Sequence, residues 1–183
     1  IDGDAGILRY RGIPIEVLAE KSSFVETAYL VIFGHLPSQT ERTRFTELLT
    51  EHSALHTSME KHFDGFPPNA HPMAIMSAMI NALSMHDRPK ISDPDSFEVA
   101  AAKLMSKVRT IAAASYKSSI GEPLIYPRYD ANYVENFLHM MFSLPYTTYE
   151  PIPQVTKALN MFLVLHADHE QNCSTSTVRM VAS

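Results

Sequence analysis

Leu165 to Arg179 reads LHADHEQNCSTSTVR: two histidines three residues apart, an acidic and amide-rich segment, then a Ser/Thr run closed by an arginine. What leads into this stretch decides the fold class. Val155, Ala158, Leu159, Phe162 and Leu163 fall at i, i+3, i+4, i+7 and i+8, which is one face of a helix. His166 and His169 continue that face, whereas Asp168 points roughly the opposite way. The spacing predicts an inward apolar stripe ending in two imidazoles, with Cys173 beyond the helix end.

Imidazoles so placed admit three chemistries. One is a pair of partly buried core histidines bonded to neighbouring polar groups. A metal site is the second, since His at i and i+3 can share an ion; zinc, however, takes three or four ligands, and Cys173 has no partner cysteine. The third is an anion site. There the imidazoles donate to a carboxylate or carbonyl oxygen, and Asn172 and the hydroxyls of Ser174 to Thr177 add donors. Residue chemistry alone favours the core histidines, with the anion site second and the metal site last.

Upstream, helical signals dominate. Ser23 and Glu26 form a capping box, Phe24, Ala28, Leu30, Val31 and Ile32 surround the helix that follows, and Gly34 stops it. Ser38 and Glu41 form a second box, with Phe45, Leu48 and Leu49 inward. His52, His56 and His62 then punctuate a continuing helix or short break, and no role is assigned to them. Gly65, Pro67 and Pro68 mark a loop. His71-Pro72-Met73 begins a helix whose Ala74, Ile75, Ala78, Met79 and Leu83 suit close packing, in a core or across a subunit contact. After a polar loop, Asp87 to Asp95, the longest helix runs from Ser96 to Ser118. Phe97, Ala101, Leu104, Met105, Val108, Ile111 and Ala112 form its expected inner face. Another helix is expected near Tyr133 to Phe142.

Strand signals are confined to Ile1 to Gly12. Asp2-Gly3-Asp4-Ala5-Gly6 supplies turn residues for a short β-ribbon, and Ile13-Pro14-Ile15 then opens a short helix. A calcium loop is excluded, because Ile13 stands where the closing glutamate would be. The expected fold class is all-α, multi-helical, with a short β-ribbon at the start.

Composition narrows the function classes. A net charge of −5 without a basic cluster argues against a nucleic-acid surface, and no apolar run approaches the ~20 residues of a membrane span. The single cysteine excludes an internal disulfide and fits a cytoplasmic setting.

LHADHEQNCSTSTVR resembles a signature of the bacterial citrate synthases, where HADHEQN is followed by a Ser/Thr run and an arginine. Further pieces match in the same order: IDGDAGILRYRG (Ile1 to Gly12), HPM (His71 to Met73), YKSSIGEP (Tyr116 to Pro123), YPR (Tyr126 to Arg128) and NFLHMMF (Asn136 to Phe142). The resemblance covers essentially all 183 residues. It implies that residues 1–183 are an incomplete large, helical domain of the citrate synthase fold, with the small domain and the rest of the large domain absent. The implied reaction condenses acetyl-CoA and oxaloacetate to citrate and CoA in the tricarboxylic acid cycle. The alternative is a 2-methylcitrate synthase acting on propionyl-CoA.

The resemblance also carries residue roles. His169 matches the residue that hydrogen-bonds oxaloacetate, and Asn172 a nearby position whose polar groups face the same site. His166 matches a position that packs or supports the contact residues. No catalytic residue is carried over, since the family's Gly-Pro-x-His-Gly-Gly motif and its later catalytic His and Asp have no match here; the chain alone is expected to be inactive. No metal and no cofactor are implied. A homodimer or hexamer is implied, with no nucleic-acid or membrane partner, the helix after His71 contributing to the subunit contact. NADH-inhibited Gram-negative members carry Arg and Met where Glu51 and Ala54 stand here, although Lys103 and Lys107 remain. Weak or absent NADH inhibition is therefore expected.

Overall fold

The computed structural model describes residues 4, 6–86, 92–168 and 173–182. Two short strands, β1 (Arg9–Tyr10) and β2 (Ile13–Pro14), precede the helices α1 (Ile15–Lys21), α2 (Phe24–Phe33), α3 (Gln39–Glu51) and α4 (Thr57–Glu60). A 3-10 turn (Lys61–Gly65) leads to α5 (Pro72–His86), α6 (Pro94–Ser119), α7 (Tyr133–Phe142), α8 (Pro153–Leu165) and α9 (Cys173–Ala182). The fold is all-α with a small β-ribbon. No helix among the described residues is long and apolar enough to cross a membrane. The chain divides into two units, Ile1–Thr40 with Lys157–Ser183, and Glu41–Thr156.

In the first unit β1 and β2 pair antiparallel in the register Arg9↔Pro14 and Tyr10↔Ile13. The two-residue loop between them, Arg11-Gly12, has φ of 50° and 88°. A tight hairpin with the normal strand twist needs positive φ at both positions, and Gly12 supplies one without a Cβ penalty. The hairpin turn is therefore Arg11-Gly12; of the Asp2 to Gly6 cluster, Asp2, Gly3 and Ala5 lie outside the described residues, and Ile13-Pro14 belong to a strand, with α1 starting at Ile15. The α2 caps match expectation. The Ser23 hydroxyl accepts the Glu26 N–H, the Glu26 carboxylate accepts the Ser23 N–H, and Gly34 ends the helix at a φ of 89°. Tyr10, Ile15, Leu18, Leu30 and Val164 form the core.

The inner face of α8 is not the one the apolar spacing selects. Val155, Ala158 and Phe162 are exposed, Phe162 at 55%, and Leu159 and Leu163 are half-buried. The buried face is centred on Val164, with Asn160 one turn earlier. Asn160 Oδ1 accepts the Phe24 N–H at 2.7 Å and its Nδ2 donates to the Ser22 carbonyl at 3.3 Å. Phe24 opens α2, so its N–H has no partner within the helix. The helix turns the face that can satisfy this donor. The helix also stops at Leu165 and does not run on to His169.

In the second unit Leu55, Met59, Phe63, Ile75, Met79, Leu83, Ile111 and Ala114 form the core, drawn mainly from α4, the 3-10 turn, α5 and α6. Here too the expected face is corrected. Of the stripe read on α6 only Ile111 is buried, while Phe97 and Leu104 are exposed. The buried positions include Glu98, Ala102, Ser106, Arg109, Thr110 and Lys117. The polar groups of Glu98, Ser106, Arg109 and Thr110 meet α3 and the turn after it. The Ser106 hydroxyl donates to the Leu49 carbonyl, Thr110 Oγ1 to the Ser53 carbonyl at 2.7 Å, and Lys107 Nζ to the Ala54 carbonyl. Leu49 is in the last turn of α3, whose carbonyls lack helical partners and form the negative end of its dipole.

Arg109 is 5% exposed, and among the described residues no carboxylate pairs with it. Its Nη2 donates to Ser53 Oγ at 2.7 Å, and its guanidinium lies 4.5 Å from the centre of the Tyr133 ring. The α3 dipole and the aromatic face offset part of the cost of burying this charge. Burial still holds the guanidinium below its ordinary pKa, and pushes the Tyr133 phenol up to about 12. His56 also gains a role: its Nδ1 accepts the Ser58 N–H at 3.1 Å as the cap of α4.

Candidate functional site

His169 and Asn172, the substrate-contact residues expected from sequence, lie outside the described residues. The backbone leading to them is described. The Tyr10 hydroxyl, on a side chain 2% exposed, accepts the Asp168 N–H at 3.1 Å. It lies 3.0 Å from the Asp168 carbonyl and 3.3 Å from the Leu165 carbonyl, and its single proton is donated to one of the two. A ribbon residue thus fixes the chain where it leaves α8, one residue before His169. Asn160 and Val164 fix the same helix against α2 and the core.

His166 shares the face of Phe162, as the spacing predicts, but that face is outward. Its ring stacks on Phe162 with centroids 4.1 Å apart, and its Nδ1 is 2.7 Å from the Phe162 carbonyl oxygen. The Ser/Thr run is helical, as α9, and has no buried residue. Thr177 Oγ1 donates to the Cys173 carbonyl at 2.8 Å, so that hydroxyl is bonded to its own helix. Among the described residues no group of three His, Cys, Asp or Glu side chains is placed to hold a metal ion.

The motifs of the second unit form one set of ties. Lys117, buried near the end of α6, bonds Glu122 at 2.5 Å and donates to the Ser143 carbonyl at 2.6 Å, joining YKSSIGEP to the end of α7. The Asn136 amide accepts the Arg128 N–H at 2.9 Å and donates to the Arg128 carbonyl at 2.7 Å. NFLHMMF therefore holds YPR in place. The Arg128 guanidinium pairs with Asp130 at 2.8 Å and Glu150 at 2.7 Å, which raises its pKa. His139 Nδ1 is 2.9 Å from Ser143 Oγ, and burial, followed by the Arg128 charge, lowers its pKa. These residues are built for holding the fold. Sequence reasoning missed Tyr10 and Asn160 because each acts across more than a hundred residues, without a local signal.

The ribbon, the helices and these ties define a multi-helical domain of the kind found in solved citrate synthases. The Pyrobaculum aerophilum enzyme superposes with a TM-score of 0.80 at 32% identity, over 91% of this chain and 42% of that one. A Thermoplasma acidophilum citrate synthase, solved as a ternary complex with carboxymethyl coenzyme A and oxaloacetate, gives 0.86 at 25% identity, over 96% and 45%. By sequence, "Citrate synthase 1" of Mycobacterium tuberculosis is 50% identical across all of this chain and 43% of its own length. The family model for the citrate synthase C-terminal domain matches residues 1–183, and the chain belongs to the citrate synthase family. It spans less than half the length of these relatives.

Proposed function

We propose that the chain contributes the oxaloacetate-contact segment and much of the large helical domain of an enzyme that condenses acetyl-CoA with oxaloacetate to citrate and CoA. A base removes a proton from the acetyl methyl group, the resulting enol attacks the ketone carbon of oxaloacetate, and water then hydrolyses the citryl thioester. His169 serves as a hydrogen-bond donor to oxaloacetate, and Asn172 adds a polar group beside it. The base and the general acid come from residues outside these 183, so the isolated chain does not turn over. The reaction needs no metal or cofactor.

The observation that carries this reading is the match of the citrate synthase C-terminal domain over residues 1–183, and the Tyr10–Asp168 tie fixes the chain as far as the residue before His169. We further infer a homodimer or a hexamer built from dimers, for which the outer face of α5, where Met73, Ala74, Ser77, Ala78 and Met85 are exposed, offers a contact surface. Its setting is the cytoplasm. NADH inhibits it weakly or not at all, and Lys107 is bonded to the Ala54 carbonyl.

Thiol release from the full gene product tests the reading, with oxaloacetate and either acetyl-CoA or propionyl-CoA. A higher kcat/KM with acetyl-CoA is expected. A preference for propionyl-CoA would make it a 2-methylcitrate synthase, and absence of both activities would refute the condensation altogether.

A further inference from the structure

We infer that His139 is a pH-operated latch on the loop after α7, holding residues 144–150 closed while its ring is neutral and releasing them when the ring takes up a proton. Ser143 is the moving part. It is 1% exposed, and its hydroxyl accepts the Tyr149 N–H at 2.8 Å and lies 2.9 Å from His139 Nδ1. Among the described residues Nδ1 is the acceptor in reach of the hydroxyl hydrogen, so Nδ1 is bare and accepts it. A proton on Nδ1 turns that acceptor into a donor. The buried hydroxyl then has two donors aimed at it and no acceptor for its own hydrogen, a costly state. Turning Ser143 away relieves it and leaves the Tyr149 N–H without its acceptor. Little else closes the loop: Leu144 and Thr147 exchange backbone bonds at 2.9 and 3.1 Å, and residues 145–148 are exposed. The base of the latch stays in place, because the Ser143 carbonyl accepts from Lys117 Nζ of α6, which also pairs with Glu122. Burial, then the Arg128 charge, oppose a proton on the ring; the Tyr126 backbone, Glu150 in the loop and Asp130 favour it, and the opposing causes prevail. The latch is therefore closed near neutral pH and does not depend on the reaction proposed above.

The test is hydrogen exchange of the 144–150 segment in the full gene product at about pH 7.5 and about pH 5, with the intrinsic pH dependence of exchange removed. Protection of the segment is expected to fall at least about fivefold at the lower pH, with α7 changed less than about twofold. Equal protection at both pH values overturns the inference, and so does an equal fall across α7, which is general softening. His139→Asn places an uncharged acceptor near the position of Nδ1, and there the fall is expected to shrink below about twofold. A fall of wild-type size in that variant overturns the inference. The double variant Asp130→Asn/Glu150→Gln removes the carboxylates that pair with Arg128 and is expected to keep the fall. Its disappearance there would make those ion pairs the sensor and overturn the inference. If His139→Asn does not fold, Ser143→Ala decides the matter. The loop is expected to exchange fast at both pH values in that variant, and a retained fall overturns the inference.

Discussion

The two units bury different chemistry. In the second, the inner face of α6 carries Glu98, Ser106, Arg109, Thr110 and Lys117, which bond to α3, the turn after it, Glu122 and Ser143. In the first, the core is Ile15, Leu18, Leu30, Val164 and the ring of Tyr10, and the Tyr10 hydroxyl and Asn160 amide add polar ties at its edge. Hydrophobic contact is non-directional and tolerates sliding, whereas a buried hydrogen-bonded group fixes one register. The α3–α6 packing is therefore fixed by partners that cannot be exchanged. In the first unit the polar ties fall at the start of α2 and where the chain leaves α8.

The sharpest way to break this comparison is to enlarge the inner face of α6. Ala102 is fully buried there, and Ala102→Leu is expected to cost about 3 kcal/mol by overpacking. Leu104→Ala, on the 53% exposed outer face, is expected to cost less than about 0.5 kcal/mol in a monomer. Urea unfolding measures both, and the reverse order would restore the apolar stripe as the inner face.

Removing one polar tie from each unit gives smaller effects. Lys117→Met leaves the Ser143 carbonyl without its donor and Glu122 without its cation. Because Glu122 is partly exposed, the expected loss is about 2 kcal/mol, below that of a fully buried pair. Asn160→Leu is expected to cost about 1 kcal/mol, since the Phe24 N–H at the start of α2 loses its acceptor but water can reach a half-buried site. Denaturation midpoints check the order; a larger loss from Asn160→Leu would mean that the first unit depends more on polar ties than the second.

The Ser23–Glu26 capping box, α3 and its inward Phe45 and Leu49, and α7 were legible in sequence because their signals are local. Ser23 sees Glu26 three residues away, and Tyr133 to Phe142 is bounded by an Asn132 cap whose bonds lie within the same turn. The inner faces of α6 and α8 were not legible, since each helix carries apolar residues on more than one side. Which side is buried depends on Leu49 and Ser53 for α6 and on Phe24 for α8, all distant in sequence. The family could be read from HADHEQN and the motifs before it. The ties among those motifs, such as Asn136 to the Arg128 backbone, appear only once the helices are assembled.

The smallest expected effect concerns pH. His139 is buried, and burial holds its pKa below the ordinary histidine value of about 6.5, so the unfolded chain binds the proton more readily than the folded one. Its contribution is fully present above that value and is lost as pH falls below it. Melting temperature is expected to decline from about pH 7 to about pH 5.5, and His139→Gln is expected to make that decline shallower. An unchanged slope would assign the decline to other groups.

The most direct test of the whole account is oxaloacetate binding by the full gene product with His169→Gln. The account predicts a loss of at least about tenfold in oxaloacetate affinity with the melting temperature nearly unchanged, as for a residue that contacts the ligand without supporting the fold. Wild-type affinity in that variant would contradict it, and would remove the HADHEQN segment from the substrate site.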